Sequence, residues 1–343
     1  VQVEISKNSK IHVTIVSDQK IKKDDIRNLI RNEIERQNEL YTVGFIDIYS
    51  VEEARELDIV KVNKNSKVCT WAEGLNADRA EQEADSDLEV IRFYSYKGGV
   101  GRTVALIQTA YKLARAGKRV LMLDLDIEAP SLHNLFSKQV NDPFSGVRYG
   151  VVDYLYHTVV QRRKDISSKD ICCQLQLNDI DGAMFLIPAL KRMNKQYLYR
   201  IGRLQTEKIH DDQVFGQLFR EIRQGFAIDL ILIDTRAGFN PWGSLSLLAL
   251  STQVIFVAYP NEENIEGLNV AFEMMENVGK QRYAVAMSKV VAKDRGIRRA
   301  RSLFDNLKVA QESLIPILYR EEIALNKEYP LVSEEVTSAY NVL

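Results

Sequence analysis

The sequence predicts an α/β protein with a mostly parallel central sheet flanked by helices, preceded by a small α+β module at the N-terminus. Two apolar runs, 119–126 and 228–234, end in carboxylates, as buried parallel strands near a ligand site do. A segment of helical periodicity, 103–116, follows a glycine-rich turn and is closed by Gly117. The 343 residues are 45% apolar with a formal net charge of -1, which allows about two domains.

The first part of the chain is predicted to form a small module over residues 1–70. Apolar patterning predicts strands over 11–16 and 43–49, with an amphipathic helix over 24–38 between them. Ser50–Glu53 has the spacing of a capping box, so a further helix is expected to begin there. A module of this size suits the recruitment of a protein partner.

An acidic, apolar-poor stretch separates this module from the larger domain. Residues 71–87 contain the run EQEADSD, which predicts a linker or an exposed helix. The second domain is then expected over residues 88–343. It holds every motif that points to chemistry.

A glycine-rich heptapeptide, Lys97–Thr103 (KGGVGRT), follows the apolar run 90–95. A strand that ends in such a turn and opens into a helix directs several backbone N–H groups and the positive end of the helix dipole at one small volume. Compared with the common phosphate loop G-x-x-x-x-G-K-[ST], Tyr96 replaces the first glycine and Arg102 the lysine. The spacing predicts a loop that binds the phosphates of a nucleotide.

The lysine before the two glycines makes this loop resemble the deviant phosphate loop of the ParA and MinD family, K-G-G-x-G-K-[ST]. Tyr94-Ser95-Tyr96 is similar to the aromatic-Ser-aromatic triplet of a bacterial branch whose loop reads K-G-G-V-G-R-T. The resemblance covers roughly three quarters of the chain and implies a P-loop NTPase fold, with ATP and Mg²⁺ as cofactors. The nucleotide-binding residues that it implies are Lys97, Gly98, Gly99, Val100, Gly101, Arg102, Thr103, Val104 and Gly238.

Two carboxylates, Asp124 and Asp126, end the strand predicted over 119–126. The resemblance implies that Asp126 orients the attacking water and that Asp124 assists at the magnesium. Residues at the end of a strand also shape turns, and this alternative stays open because Ile127–Glu128 stands where the family often shows Pro-Gln.

A third carboxylate, Asp234, ends the run 228–234. The resemblance implies that Asp234 holds Mg²⁺ through water, that the Thr103 hydroxyl also reaches the metal, and that Gly238 senses the γ-phosphate. The alternative for Asp234 is a helix N-cap after a strand. Ser288 stands where the family often carries an adenine-reading Asn, so the choice between adenine and guanine stays open.

The resemblance implies three catalytic residues: Lys97, Arg102 and Asp126. The lysine equivalent to Lys97 crosses a dimer interface and neutralises charge on the partner's nucleotide, so an ATP-dependent homodimer is expected. Arg102 keeps a positive charge but differs from lysine in length and shape. Binding is expected to survive this replacement, while efficient hydrolysis is in question.

Basic residues cluster between positions 282 and 308, including Arg295, Arg298, Arg299 and Arg301. Such clusters can hold DNA phosphates without sequence preference. A solvated helix face accounts for the same pattern and is the favoured interpretation. Nonspecific DNA is therefore one of two alternatives for this segment.

Composition argues against several other classes of protein. The cysteines, Cys69, Cys172 and Cys173, and the four histidines lack the spacing of a disulfide framework or a zinc site. No apolar run approaches a membrane span, and the acidic segment 332–340 is unlike an amphipathic membrane anchor. A cytoplasmic protein without a membrane partner is expected.

The motifs together with the resemblance imply a slow Mg-ATP-dependent ATPase that acts as a dimerisation switch and regulates or positions a partner in a partition, signalling or defence system. An alternative is a nucleotide-binding regulatory scaffold in which Arg102 has cost most of the catalytic power. A third class is a metabolic ligase or kinase of the same superfamily, although the sequence carries no second-substrate motif.

Overall fold

A computed structural model describes residues 2–5, 10–17, 22–37, 42–50, 53, 88–136, 147–206, 212–240, 250–277, 282–291, 294–305, 307, 314–325, 329–330 and 332–340. The chain divides into two compact units, Val1–Arg79 and Ala80–Leu343. The predicted linker, 71–87, lies outside the described residues, so its limits stay a prediction.

The smaller unit contains a three-stranded sheet in the order β1-β2-β3. Strand β1 (Gln2–Ile5) runs antiparallel to β2 (Lys10–Ser17), and β2 runs parallel to β3 (Thr42–Ser50). Helix α1 (Lys23–Gln37) connects the parallel pair, as the predicted strand–helix–strand pattern required. Strand β1 is an addition that the sequence pattern did not predict.

Alternate apolar residues of this sheet form the core of the smaller unit. Val13, Ile46 and Ile48 are buried, and Ile26 and Ile30 of α1 pack against them. At the end of β3 the capping box is present. The Glu53 N–H donates to the Ser50 hydroxyl at 3.1 Å, and the Ser50 N–H donates to the Glu53 carboxylate at 2.7 Å.

An eight-stranded sheet forms the centre of the larger unit, in the order β11-β10-β9-β4-β8-β5-β7-β6. All neighbouring strands are parallel except β6 and β7. The predicted, mostly parallel sheet is confirmed. The strands are β4 (Glu89–Tyr94), β5 (Arg119–Leu125), β6 (Cys173–Gln174), β7 (Ala183–Ile187), β8 (Leu230–Thr235), β9 (Gln253–Ala258), β10 (Tyr283–Val290) and β11 (Leu314–Leu318).

Helices cover both faces of this sheet. Because successive strand residues point to opposite faces, Leu121 and Leu123 of β5 belong to one apolar cluster, and Val120 and Met122 belong to another. The helices are α2 (Arg102–Arg115), α3 (Leu132–Leu135), α4 (Val151–Leu155, continued by a π-helical turn over Tyr156–Val160), α5 (Ser168–Ile171), α6 (Lys195–Thr206), α7 (Asp212–Phe226), α8 (Glu262–Asn277), α9 (Asp294–Phe304), α10 (Glu321–Leu325) and α11 (Glu334–Ala339).

The register of the central strands brings the predicted carboxylates to one edge. Asp234 of β8 lies opposite Phe93 of β4 on one side and opposite Asp124 of β5 on the other. Helix α2 ends where predicted, since Gly117 adopts a φ of +85° and the Lys118 N–H donates to the Leu113 carbonyl at 3.0 Å. The phosphate loop and the two carboxylate strands therefore meet at the carboxyl edge of the sheet.

Candidate nucleotide-binding site

The glycine-rich loop between β4 and α2 forms an open cradle. Gly99 and Gly101 have φ values of +73° and +90°, which residues with a Cβ rarely adopt. A Cβ placed on Gly98, Gly99 or Gly101 would meet no atom within 4 Å. The space beside the loop is therefore free to receive a ligand.

Tyr96, which replaces the first glycine of the common motif, packs beside α8. A Cβ on Gly267 of that helix would collide with the Tyr96 ring, so glycine is needed there for a close approach. The Tyr96 ring also lies 5.4 Å from that of Phe239. Packing of the Tyr96 side chain thus holds the backbone in place where the phosphate loop begins.

Arg102 lies at the centre of the site and is buried. Its guanidinium donates from Nε to Asp234 Oδ1 at 2.5 Å, from one terminal nitrogen to Asp126 Oδ2 at 3.2 Å, and from the other to Ser95 Oγ at 3.2 Å. Burial opposes the charged form of Arg102, but the nearby Asp234 and Asp126 carboxylates outweigh burial and raise its pKa above the usual value. Arg102 is thus a fixed cation that joins two of the predicted site carboxylates.

The second oxygen of Asp234 accepts a hydrogen bond from the Thr103 hydroxyl at 2.7 Å. Among the described residues, no group of three or more His, Cys, Asp or Glu side chains is arranged to hold a metal. Mg²⁺ in nucleotide sites is commonly held by one or two carboxylates together with water and substrate phosphates. The paired Thr103 hydroxyl and Asp234 carboxylate fit that kind of site.

Asp124 is fully buried and accepts hydrogen bonds from the backbone N–H groups of Asp126 at 3.1 Å and Leu132 at 3.3 Å. Burial, followed by the nearby charges of Asp234 and Asp126, raises the pKa of Asp124 well above its usual value. These contacts favour the turn-shaping alternative for Asp124, and its predicted role at the metal stays a prediction.

Asp126 is the first residue of the loop after β5 and faces Arg102. Its Oδ1 accepts the Ala129 N–H at 3.3 Å, while Oδ2 faces Arg102. Burial raises the pKa of Asp126, and the Arg102 charge partly offsets this effect. The carboxylate is therefore held on both sides, next to the phosphate loop.

Two contacts that the sequence pattern did not predict hold the loop after Asp126. The buried Tyr197 of α6 donates its hydroxyl to the Ile127 carbonyl at 2.7 Å. The next residue, Glu128, forms an ion pair with Arg236 in the segment after β8. The residues at the position where the family often shows Pro-Gln thus hold the loop that carries Asp126 to α6 and to the segment after β8.

Lys97 forms an ion pair with Glu263 at the start of α8, with Nζ and Oε2 3.1 Å apart. The Lys97 and Glu263 side chains are 47% and 70% exposed, so the pair contributes little to stability. The Lys97 ammonium also lies 5.4 Å from the centre of the Tyr96 ring. The predicted cross-subunit lysine is accordingly at the surface and weakly held.

Gly238 and Val104 complete the set of predicted residues. The Gly238 N–H donates to the Ser95 carbonyl at 2.9 Å, and its φ of +76° requires glycine. Val104 lies in the first turn of α2 and packs against the apolar cluster on that face of the sheet. Gly238 therefore links the segment after β8 to Ser95, two residues before the phosphate loop.

Arg92 is a buried cation behind the site that sequence reasoning missed. Its guanidinium donates to the Thr235 hydroxyl at 2.6 Å and lies 4.8 Å from the centre of the Tyr94 ring. Burial lowers the pKa of Arg92 to about 9. The charged residue at position 92, in the middle of the apolar run 90–95, is a signal that the sequence offered.

Four arginines of the predicted basic cluster lie on α9, whereas Arg282 lies directly before β10. Ala300 and Phe304 face the core, whereas Arg295, Arg298, Arg299 and Arg301 are exposed. In the part of the chain that the structure describes, no helix is long and apolar enough to span a membrane. Lys293 and Lys308 of the same cluster lie outside the described residues.

Comparison with known proteins agrees with this fold. The profile of the AAA domain family matches residues 88–288, more than half of the chain. A protein assigned as replication protein A in Rhizobium rhizogenes is 25% identical over 194 residues, which cover 56% of this chain and 45% of that protein. The septum site-determining protein MinD of Synechocystis is 23% identical over 252 residues, covering 73% and 84% of the two chains. The chain thus spans less than half the length of the Rhizobium relative.

Solved structures share the fold at low sequence identity. A protein assigned to plasmid partition in Borrelia burgdorferi, bound to AMPPNP, superposes with a TM-score of 0.55 at 19% identity, covering 74% of this chain and 96% of that one. The MinD protein of Pyrococcus horikoshii in complex with Mg-ADP gives a TM-score of 0.53 at 16% identity, covering 74% and 94%.

The chain therefore belongs to the AAA domain family. Within that family, its fold and its relatives are those of ParA/MinD-type P-loop ATPases, as the loop motif predicted.

We predict that Arg102→Met lowers the free energy of unfolding of the nucleotide-free protein by about 3 kcal/mol, because it leaves the buried Asp234 and the partly buried Asp126 carboxylates without their cation. Urea unfolding at neutral pH measures the change, with the exposed Arg220→Met as the matched control. Adding Asp126→Asn to Arg102→Met should restore part of the loss. If Arg102→Met and Arg220→Met have the same free energy of unfolding, the prediction is wrong.

Proposed function

We propose that the chain binds Mg-ATP at residues 97–104, hydrolyses it slowly and acts as a nucleotide-dependent dimerisation switch that regulates or positions a partner. One observation carries the proposal. Arg102, Thr103, Asp126 and Asp234 converge on one point beside the open glycine loop, and they come from three different segments of the chain.

Each of these side chains has a role consistent with its contacts. The Thr103 hydroxyl and the Asp234 carboxylate would hold Mg²⁺, which supplies neutralisation of phosphate charge when bound. A guanidinium binds phosphate as well as it binds carboxylate, so Arg102 would exchange its carboxylate partners for phosphate oxygens. Asp126, released by that exchange, would orient the attacking water. AMPPNP in the Borrelia protein and Mg-ADP in the Pyrococcus MinD support this choice of ligand.

Lys97 is the residue proposed to connect nucleotide with dimerisation. Its pair with Glu263 is exposed and weak, so Lys97 can leave it at small cost to reach a nucleotide bound by a second copy. A cation supplied across an interface would neutralise the phosphates of the partner subunit. The ATP-bound state would then be dimeric, and hydrolysis would dissolve the dimer.

We expect the mass in solution to double with Mg-ATP but not with Mg-ADP or without nucleotide. Lys97→Ala should abolish the change, because the cross-subunit cation is lost. Glu263→Gln is the matched control. It removes the intramolecular partner of Lys97 and should leave the ATP-dependent dimer intact or strengthen it. Light scattering after size exclusion measures all three proteins, and a mass that never depends on nucleotide would refute the dimerisation switch.

The ion pairs of Arg102 also favour a second candidate function, a nucleotide-binding regulatory scaffold. In the nucleotide-free protein Arg102 engages both Asp234 and Asp126, the two carboxylates that hydrolysis is proposed to need. If Arg102 keeps Asp126 after ATP binds, the chain would bind nucleotide without turning it over. Binding and turnover therefore have to be measured separately.

Arg102→Lys should raise the rate of ATP hydrolysis by about tenfold, equivalent to ~1.4 kcal/mol of barrier, because lysine cannot bridge the two carboxylates as the planar guanidinium does. Steady-state phosphate release gives the rate, and calorimetry with a non-hydrolysable ATP analogue gives the affinity. The scaffold would be favoured over the ATPase if the wild type binds the analogue tightly yet releases no phosphate.

Two interaction surfaces belong to the proposal. The unit that contains residues 1–70 would recruit a protein partner, because it is a separate compact unit outside the family match. The exposed arginines of α9 would hold DNA without sequence preference.

Replacing Arg295, Arg298, Arg299 and Arg301 by Gln should weaken binding to a random DNA duplex and flatten its salt dependence, by about 0.9 in log–log slope for each phosphate that the helix no longer neutralises. Fluorescence anisotropy at several salt concentrations measures both effects. If the wild type fails to bind at low salt, the four arginines are only a solvated helix face.

A further inference from the structure

Lys289 joins a distant strand to the tip of the phosphate loop. It lies near the carboxyl end of β10, which β9 separates from β4, the strand that leads into the loop. The Lys289 ammonium donates a hydrogen bond to the Gly99 carbonyl at 2.7 Å, across 190 positions of sequence. A charged donor makes such a bond stronger than one between neutral groups. The loop is thus held at Gly99 by a side chain from outside the motif.

The backbone at Lys289 is in an unfavourable conformation. Its φ of +55° is in the left-handed region, which costs free energy for a residue with a Cβ. The flanking residues hold this conformation, since Met287 pairs with Ala258 of β9 and the Val290 carbonyl accepts the Tyr319 N–H at 2.7 Å. The register between β10 and β11 also shifts between Met287 and Val290. An irregularity of this kind commonly redirects a side chain near a functional site.

The geometry of the peptide bond gives this contact a consequence for ligand binding. In a trans peptide the carbonyl of one residue and the N–H of the next point in opposite directions. When Lys289 fixes the Gly99 carbonyl, it also fixes the direction of the Val100 N–H, which points away from the lysine. Phosphate loops bind anions through such backbone N–H groups, and a loop already ordered loses less entropy when the ligand arrives.

We infer that Lys289 is a positioning residue that orders the phosphate loop for nucleotide. It acts through Gly99 and needs no contact with the ligand. This inference rests on the proposed nucleotide binding. It adds Lys289, a residue of β10 outside the loop motif, to the residues that determine the affinity for nucleotide.

Four variants of the full chain test the inference. Lys289→Ala removes the tether, and Lys289→Arg keeps a charged donor. Lys289→Gly removes the tether while suiting the positive φ, so it separates loss of the hydrogen bond from relief of strain. Lys164→Ala removes an exposed lysine elsewhere in the larger unit and is the control.

The first measurement is deuterium uptake at the peptide that covers residues 96–103 in the nucleotide-free protein. Uptake should be faster in the Ala and Gly variants, close to wild type in the Arg variant and unchanged in the control. The second measurement is affinity for a non-hydrolysable ATP analogue with Mg²⁺. It should fall about fivefold in the Ala and Gly variants, as expected for one exposed charge-assisted hydrogen bond, and recover in the Arg variant.

The outcomes distinguish this inference from the proposed function. Unchanged uptake in the Ala and Gly variants would overturn the tether. Faster uptake with unchanged affinity would overturn the role in nucleotide binding. A wild-type chain that binds no analogue, in which Lys289→Ala still accelerates uptake, would support the tether and overturn the proposed function instead.

Discussion

The buried Arg102 guanidinium is the interaction on which the carboxyl edge of the sheet depends. The parallel register of β5 and β8 brings Asp124 beside Asp234, and Asp126 follows directly after the end of β5. Buried carboxylates at such spacing repel one another and lose their hydration. Arg102 offsets this cost with direct contacts to Asp234 and Asp126, which makes it easier for the strands to bring their acidic ends together.

The same arrangement explains how a nucleotide could change the shape of the site. The loops that carry Asp126 and Gly238 are tied together by the Arg236–Glu128 pair. The Gly238 N–H is bonded to the Ser95 carbonyl, next to the phosphate loop. A phosphate that draws Arg102 away from its carboxylates would therefore disturb connected loops rather than one side chain. Such a connection is what a nucleotide-dependent switch needs.

Lys97, the residue proposed for dimerisation, lies apart from the residues proposed for hydrolysis. Arg102, Thr103, Asp126 and Asp234 contact one another within a single chain, while Lys97 lies outside that cluster in an exposed pair with Glu263. Chemistry and assembly would thus depend on different residues of the same short loop. Lys289 adds a third influence, because it restrains the loop backbone from β10.

The sequence by itself determined the strand–loop–helix unit, the parallel sheet, the stop at Gly117, and the strand–helix–strand pattern of the smaller unit, because periodicity and glycine placement are local signals. It also picked out Thr103, Asp126 and Asp234, since they fall at strand ends or in the motif. Only the tertiary structure decided that Asp124 is enclosed by backbone N–H groups, that Tyr197 holds the Ile127 carbonyl, and that Lys289 reaches Gly99. These contacts join residues far apart in the chain, and strand order, which local patterns do not encode, brings them together.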